Sequence, residues 1–306
     1  MASATTAAQI LKTQKRNLRK TIAATLSQLS PSALEDQSRA IATRVLALPP
    51  FKRCSSISCY LSMPSGEART AALAESILQL DKTLFVPKIQ TTSDTAPAMD
   101  FLRVYSSEDL RSLPSGTWGI REPDDLWEGR KRSSVRESPE AQVDVILVPG
   151  VAFDRTFSRL GHGMGYYDRF ISSYVASGRP KPLLVGLGLR EQLLNAGEVP
   201  IDDRDWKMDV LITPDETLGS VSVLLLDGCI STYSLTCLPL IYAGTLSSAN
   251  LGYFKLKQSE PLVARGSSPH IYKVDRFCDH WRGEIFYAAA GPVLSQNPAP
   301  GSQLAR

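Results

Sequence analysis

The chain has 306 residues, 43% apolar and 21% charged, enough for a sizeable core and outside the range of a wholly disordered or collagen-like polypeptide. A formal net charge of +3, spread along the chain, argues against nucleic-acid binding and leaves a small anionic ligand as the better match. Five cysteines without a CxxC pair and three scattered histidines offer little for a zinc site, a disulfide framework or a Ser-His-Asp triad, so a reducing compartment is expected and any metal must use carboxylates.

In residues 7–29, Leu11, Leu18, Ile22, Leu26 and Leu29 fall on one stripe at roughly 100° per residue, which predicts an amphipathic helix. On that wheel Arg16 and Lys20 point to solvent, whereas Lys15 and Arg19 fall in or beside the apolar stripe. Inward cations are costly when unpaired, so this pair either meets carboxylates or a bound anion, or snorkels to the helix edge. The stretch before Glu35 has no acid, a composition shared with organellar transit segments, but the helical stripe is the reading adopted.

Ser30 and Pro31 then predict the cap and first position of a second helix, which Pro49-Pro50 should stop. Strands are expected near residues 57–61, 84–89, 99–105 and 143–149, with a helix at 70–80. Residues 124–140 are charged and aperiodic, the pattern of a mobile surface loop. A helix at 167–175 and strands at 183–189 and 209–213 complete an alternating series, which implies an α/β fold with a mostly parallel, Rossmann-like layered sheet and helices on both faces. Beyond Thr217 no periodic element is evident. We therefore expect one domain over residues 1–217 and an irregular C-terminal extension, 218–306, of unknown role. The apolar run 221–243 is broken by Asp227 and several Ser and Thr residues and makes a poor membrane span.

The segment VDVILVPGVAFDRTFSRLGHGMGYYDRF carries most of the chemical information. A buried strand leads to Gly150, then to Gly161, Gly163 and Gly165, then to a helix, which is the layout of a phosphate cradle: glycines let backbone N–H groups approach an anion and the helix start favours negative charge. Arg159 and His162 add side-chain donors. The run is neither a Walker A sequence nor the usual dinucleotide fingerprint.

RLGHGMGYYD at 159–168, following VPGVAFD, resembles the signature of the 5-formyltetrahydrofolate cyclo-ligase (methenyltetrahydrofolate synthetase) family. KRNLR at 15–19, QSRAI at 37–41, YLSM at 60–63, MDFLRV at 99–104, TWGIREP at 117–123 and DWKMD at 205–209 resemble family segments in the same order, over about residues 10–217. The resemblance implies a NagB/RpiA/CoA transferase-like sheet and ATP- and Mg2+-dependent closure of 5-formyltetrahydrofolate to 5,10-methenyltetrahydrofolate, with release of ADP and phosphate. Such chemistry needs charge neutralisation and alignment more than a protein nucleophile.

By the same resemblance, ATP contacts fall on Lys15, Arg19, Arg159, Leu160, Gly161, His162, Gly163, Met164, Gly165, Tyr166 and Tyr167, with Arg159, His162 and Tyr166 closest to the chemistry. The folate would meet Leu61, Glu67, Trp118 and the shared positions His162, Gly163, Met164, Gly165 and Tyr166, with Tyr60 and Met63 as further walls for a planar ring. Asp168 and Asp205 would bind magnesium, for which hard oxygen ligands are suited. Many relatives carry lysine at the position of Met164 and arginine at that of His162, so weaker ATP binding is expected here. A cytoplasmic monomer acting on a small folate, possibly with a polyglutamate tail, without nucleic acid or membrane, is the working expectation; import into mitochondria is left open. The alternative reading keeps the fold and drops catalysis, giving an ATP- or folate-binding protein.

Overall fold

The apolar stripe at the start of the chain folds as α1 (Ala2–Leu26), with Ile22 and Leu26 buried, Lys15 and Arg19 half-buried, and Arg16 and Lys20 exposed. This computed structural model describes residues 2–90, 98–116, 119–138, 140–220, 233–234 and 254–258. Ser30 caps α2 (Pro31–Ala47), its hydroxyl accepting from Ala33 N at 3.1 Å. Pro49 and Pro50 do more than end that helix: they open α3 (Pro49–Arg53), because a fixed φ and a missing N–H suit the first turn.

The chain continues through β1 (Ser56–Ser58), α4 (Ala71–Gln79), β2 (Thr83–Gln90), β3 (Ala98–Val104) and α5 (Ser107–Ser112). Then come β4 (Leu126–Trp127), β5 (Arg130–Lys131), β6 (Val145–Val148), β7 (Ala152–Asp154), β8 (Arg159–Leu160) and α6 (Tyr166–Ala176). The described elements end with β9 (Leu183–Leu187), β10 (Leu193–Leu194), β11 (Val210–Ile212), β12 (Thr217–Gly219), β13 (Tyr233–Ser234) and β14 (Phe254–Gln258).

The central sheet has the order β13-β14-β12-β11-β9-β6-β1-β2-β3. Its middle strands β11, β9, β6, β1 and β2 run parallel, whereas β3 at one end and β12, β14 and β13 at the other pair antiparallel. Alternation along the strands divides the core. Val145 and Leu147 of β6, with Val185 of β9 and Val210 of β11, pack on the side that holds Ile22 of α1, Ile41 of α2 and Leu73 of α4. Ile146 and Val148, with Leu184 and Leu211, pack against Phe170, Ile171 and Tyr174 of α6. Helices therefore cover both faces of a mixed α/β sheet. Each fully buried aliphatic or aromatic side chain contributes about 1.5–3 kcal/mol to holding these two layers on the sheet.

Two sequence expectations need correction. Residues 124–140 are not a loose loop: β4 and β5 form a tight hairpin with Glu128 and Gly129 at positive φ, and Arg132 donates two hydrogen bonds, each 2.6 Å, to buried Asp109. The strand expected at 57–61 is only three residues long, β1 (Ser56–Ser58), although Cys59 N still donates to the Phe85 carbonyl of β2 at 2.9 Å. The expected boundary at residue 217 coincides with the first residue of β12, and β13 and β14 lie where the sequence shows no periodic element.

Candidate active site

In a parallel sheet, ligands collect beyond the carboxyl ends of the strands where the winding reverses. Here the reversal lies between β1 and β6. From β1 the chain builds α4 and β2 to one side, and from β6 it builds β9 and β11 to the other. The segments leaving these two strands meet in one cleft: Tyr60, Leu61, Met63 and Glu67 come from the first, Pro149 from the second. Pro87 and Ile89 of β2 close one wall, and the glycine run closes another.

That run is held at both ends. β7 and β8 form an antiparallel hairpin that buries Arg159, and the loop beyond it has Gly163 at φ 103° and Gly165 at φ 64°, left-handed conformations that favour glycine. Gly165 leads directly into α6, so the free N–H groups of the first turn sit beside the loop. Arg159 Nη2 donates to Asp168 Oδ2 at 2.8 Å and Nη1 to the Pro149 carbonyl at 3.2 Å, while its Nε is buried without a partner among the described residues. The Tyr167 hydroxyl is likewise buried without a partner, and the Arg159 guanidinium stands 5.7 Å from the Tyr167 ring centre. Asp168 Oδ1 accepts from Trp206 N at 3.0 Å, which brings the segment carrying Asp205 against the start of α6.

α1 supplies the remaining cations. Lys15 Nζ donates to Asp205 Oδ2 at 2.5 Å and to Asp202 Oδ2 at 3.1 Å. Arg19 Nε donates to the Gly161 carbonyl at 2.7 Å, and a methyl group on Gly163 would stand 3.4 Å from the Arg19 guanidinium carbon. Both inward cations thus have partners inside the protein, and neither snorkels away.

Burial pushes the Glu67 carboxyl up to about 7, although the Met63 N–H, 2.6 Å from Oε1, partly offsets this. No cation pairs with Glu67 among the described residues. His162 is exposed at the crest of the loop, yet partial desolvation and then the charges of Arg19 and Arg159 lower its pKa. Asp202 is held down to about 2, by Arg204 first and Lys15 after it.

The cleft therefore gathers Leu61, Glu67, Arg159, Gly161, His162, Met164, Gly165, Tyr166, Tyr167 and Asp168. Lys15, Arg19 and Asp205 stand at the loop but are not part of that wall, and Gly163 sits at its crest. The Leu160 side chain packs in the core instead. Trp118 lies outside the described residues. Sequence reasoning missed two acids. Glu122, quoted only as part of TWGIREP, is buried on the cleft wall, where desolvation raises its pKa against the pull of Lys88. Asp202 shares Lys15 with Asp205; the acid-rich run DDRD was its only signal.

Among the described residues, no group of three or more His, Cys, Asp and Glu side chains is gathered for a metal. Asp168 and Asp205 still fit Mg2+, which commonly takes one or two protein carboxylates and completes its shell with phosphate oxygens and water.

A glycine loop running into a helix, with Asp168 and Asp205 and the cations Lys15, Arg19 and Arg159 beside it, borders an apolar cleft at the switch point of a mixed α/β sheet. The profile of the 5-formyltetrahydrofolate cyclo-ligase family matches residues 11–214, and the chain belongs to that family. It is 36% identical over 213 residues to the probable 5-formyltetrahydrofolate cyclo-ligase of Schizosaccharomyces pombe, covering 68% of this chain and 98% of that one. It is 34% identical over 212 residues to the mitochondrial 5-formyltetrahydrofolate cyclo-ligase of Arabidopsis thaliana, covering 66% and 74% of the two chains. Among solved structures, the Aquifex aeolicus 5,10-methenyltetrahydrofolate synthetase superposes with a TM-score of 0.51 at 32% identity, over 66% of this chain and 91% of that one.

Proposed function

We propose that this chain is an ATP-dependent 5-formyltetrahydrofolate cyclo-ligase, converting 5-formyltetrahydrofolate into 5,10-methenyltetrahydrofolate with release of ADP and phosphate. Family membership supports the activity. The observation that carries the site is adjacency: the glycine loop, with Arg159 and Asp168 at its ends, forms one wall of the cleft that buries Glu67.

The pterin would lie between Tyr60, Met63 and Tyr166, with the Glu67 carboxyl facing its nitrogen donors. The formyl oxygen takes the γ-phosphoryl group, the N10 nitrogen attacks the formyl carbon, the C–O bond breaks with its electrons leaving on phosphate, and the N10 proton is lost. Backbone N–H groups of the loop and the first turn of α6, with Arg19 and Arg159, hold the phosphates in line. His162, on the crest of the same loop, would add a side-chain donor to the phosphates. Mg2+ bound by Asp168 and Asp205 would offset phosphate charge. The contacts of Lys15 and Arg159 use one oxygen, Oδ2, of each aspartate, so the two carboxylates would hold the metal while sharing it with, or exchanging it for, these cations.

Every proposed residue falls between Lys15 and Asp205, which supports activity residing in residues 1–217. The order of the parallel strands is compatible with the NagB/RpiA/CoA transferase-like arrangement. No helix among the described residues is long and apolar enough to cross a membrane. We take the protein to be a monomer of the cytoplasm, with the mitochondrion the alternative raised by the Arabidopsis relative's name. Product analysis tests the reading: methenyl product, ADP and phosphate should appear in equal amounts, and ADP formed without methenyl product would refute it.

A further inference from the structure

Gln192 is completely buried, in a single 3-10 turn (Arg190–Gln192) between β9 and β10, and it is not part of the cleft wall. Its Oε1 accepts from Leu189 N at 2.8 Å, which fixes the orientation of the amide. Nε2 then faces three carbonyl oxygens from outside its own turn: Gly150 at 2.7 Å, Val151 at 3.1 Å and Gly66 at 3.5 Å. An amide nitrogen brings two N–H donors to these buried acceptors, which an apolar side chain would leave unpaired.

The three carbonyls belong to the two segments that frame the cleft. Gly66 immediately precedes Glu67 and has φ 87°, whereas Gly150 and Val151 follow Pro149 at the exit of β6. From there hydrogen bonds run directly to the glycine loop: Val151 N donates to the Leu160 carbonyl at 2.7 Å, and Arg159 Nη1 to the Pro149 carbonyl at 3.2 Å. The turn carrying Gln192 is itself anchored. Leu193 and Leu194 of β10 pair with β7, and the buried Gln37 of α2 accepts from Arg190 N at 2.8 Å and donates to the Glu191 carboxylate at 3.1 Å. The QSRAI segment at 37–41 thus holds this turn from the α2 side.

We propose that Gln192 is a positioning residue: through Gly66, Gly150 and Val151 it sets the distance between the Glu67 wall and the phosphate loop. It thereby aligns the formyl oxygen with the γ-phosphoryl group without touching either substrate. The inference rests on the ATP and folate reading of the cleft. Each ligand has its own wall, so loosening the joint between the walls alters alignment more than either affinity. A misplacement of about 1 Å costs about a hundredfold in rate.

The test uses two variants, with circular dichroism to verify folding. Gln192→Met keeps the unbranched shape and loses every hydrogen bond, and Gln192→Glu keeps the acceptor for Leu189 N and loses the amide donors. In the folded variants kcat should fall about a hundredfold, while the Kd of Mg-ATP and of 5-formyltetrahydrofolate, each measured alone by calorimetry, stays within about threefold of wild type. Unchanged kcat, or a loss of affinity for either ligand as large as the loss in kcat, would overturn the proposal. So would failure of both variants to fold, which would make Gln192 a stability residue only. If wild type shows no turnover, the activity reading fails by itself and ligand coupling still reads the joint. A non-hydrolysable ATP analogue should then tighten 5-formyltetrahydrofolate binding to wild type at least about threefold and leave binding to Gln192→Met unchanged. The same gain in both proteins, or no gain in wild type, overturns the positioning role.

Discussion

Arg159 Nη2 lies 2.8 Å from Asp168 Oδ2, so the guanidinium proposed to grip phosphate and the carboxylate proposed to grip magnesium are each other's partner. Both side chains are largely buried, at 5% and 16% exposure, which makes removal of one partner alone costly. Lys15 and Asp205 repeat the arrangement on α1. On the proposed reading, metal and nucleotide binding are coupled through these pairs, because a cation that turns to phosphate leaves its carboxylate to the metal.

Asp168→Asn removes the carboxylate and leaves Arg159 free. ATP without Mg2+ should then bind at least as tightly as to wild type, Mg2+ should no longer tighten it, and turnover should fall about 10²–10³-fold. Calorimetric ATP titrations with and without Mg2+ read the coupling directly. An undiminished Mg2+ effect in the variant would rule out Asp168 as a ligand.

Lys15→Ala should weaken Mg-ATP binding about tenfold or more through loss of a charged donor, with the folate KM nearly unchanged. Asp202 keeps Arg204, the larger cause of its low pKa, in the variant. Equal losses for both substrates would point to general damage to α1.

Glu67 gives a pH dependence with a definite sign. Its carboxyl titrates near 7 in the folded chain against an ordinary value of 4.5, so the folded state holds the proton more tightly and this group's contribution to stability falls as pH rises from about 4.5 to 7. The full penalty above pH 7 is on the order of 3 kcal/mol. Glu67→Gln should therefore be more stable than wild type at pH 8 and level with it at pH 4, while losing folate affinity. Urea midpoints at the two pH values check this; a stability difference independent of pH would contradict it.

Met164 is exposed on the loop crest, at 44%, where the resemblance to the family implies lysine. Met164→Lys should tighten ATP binding several-fold, by about the worth of one solvent-exposed charge interaction with phosphate. If ATP affinity and turnover stay unchanged, the methionine is not what limits nucleotide binding.

Much of the fold was legible because parallel strands buried on both faces read as unbroken apolar runs, as in VILV of β6, and because α1 and α2 carry a clear period and a Ser-Pro start. The two inward cations on α1 were legible from the helical wheel, although only the structure shows that Lys15 takes aspartates and Arg19 takes a loop carbonyl. The short strands β7, β8, β10 and β12 were not legible, since two or three residues carry no period. The anchoring of residues 124–140 was also hidden, because Arg132 and Asp109 are 23 positions apart and paired charges look like solvated ones in sequence. Glu122 escaped for the same reason: an acid in a turn gives no sign of burial.

The most direct measurement is the near-ultraviolet absorbance of the methenyl product when purified full-length protein is mixed with 5-formyltetrahydrofolate and Mg-ATP. The absorbance should rise with wild type, stay flat without ATP, and fall to a small fraction of the wild-type rate with Asp168→Asn. A folded wild-type protein that binds both ligands and produces no methenyl absorbance would contradict the assignment and leave a binding protein on the same scaffold.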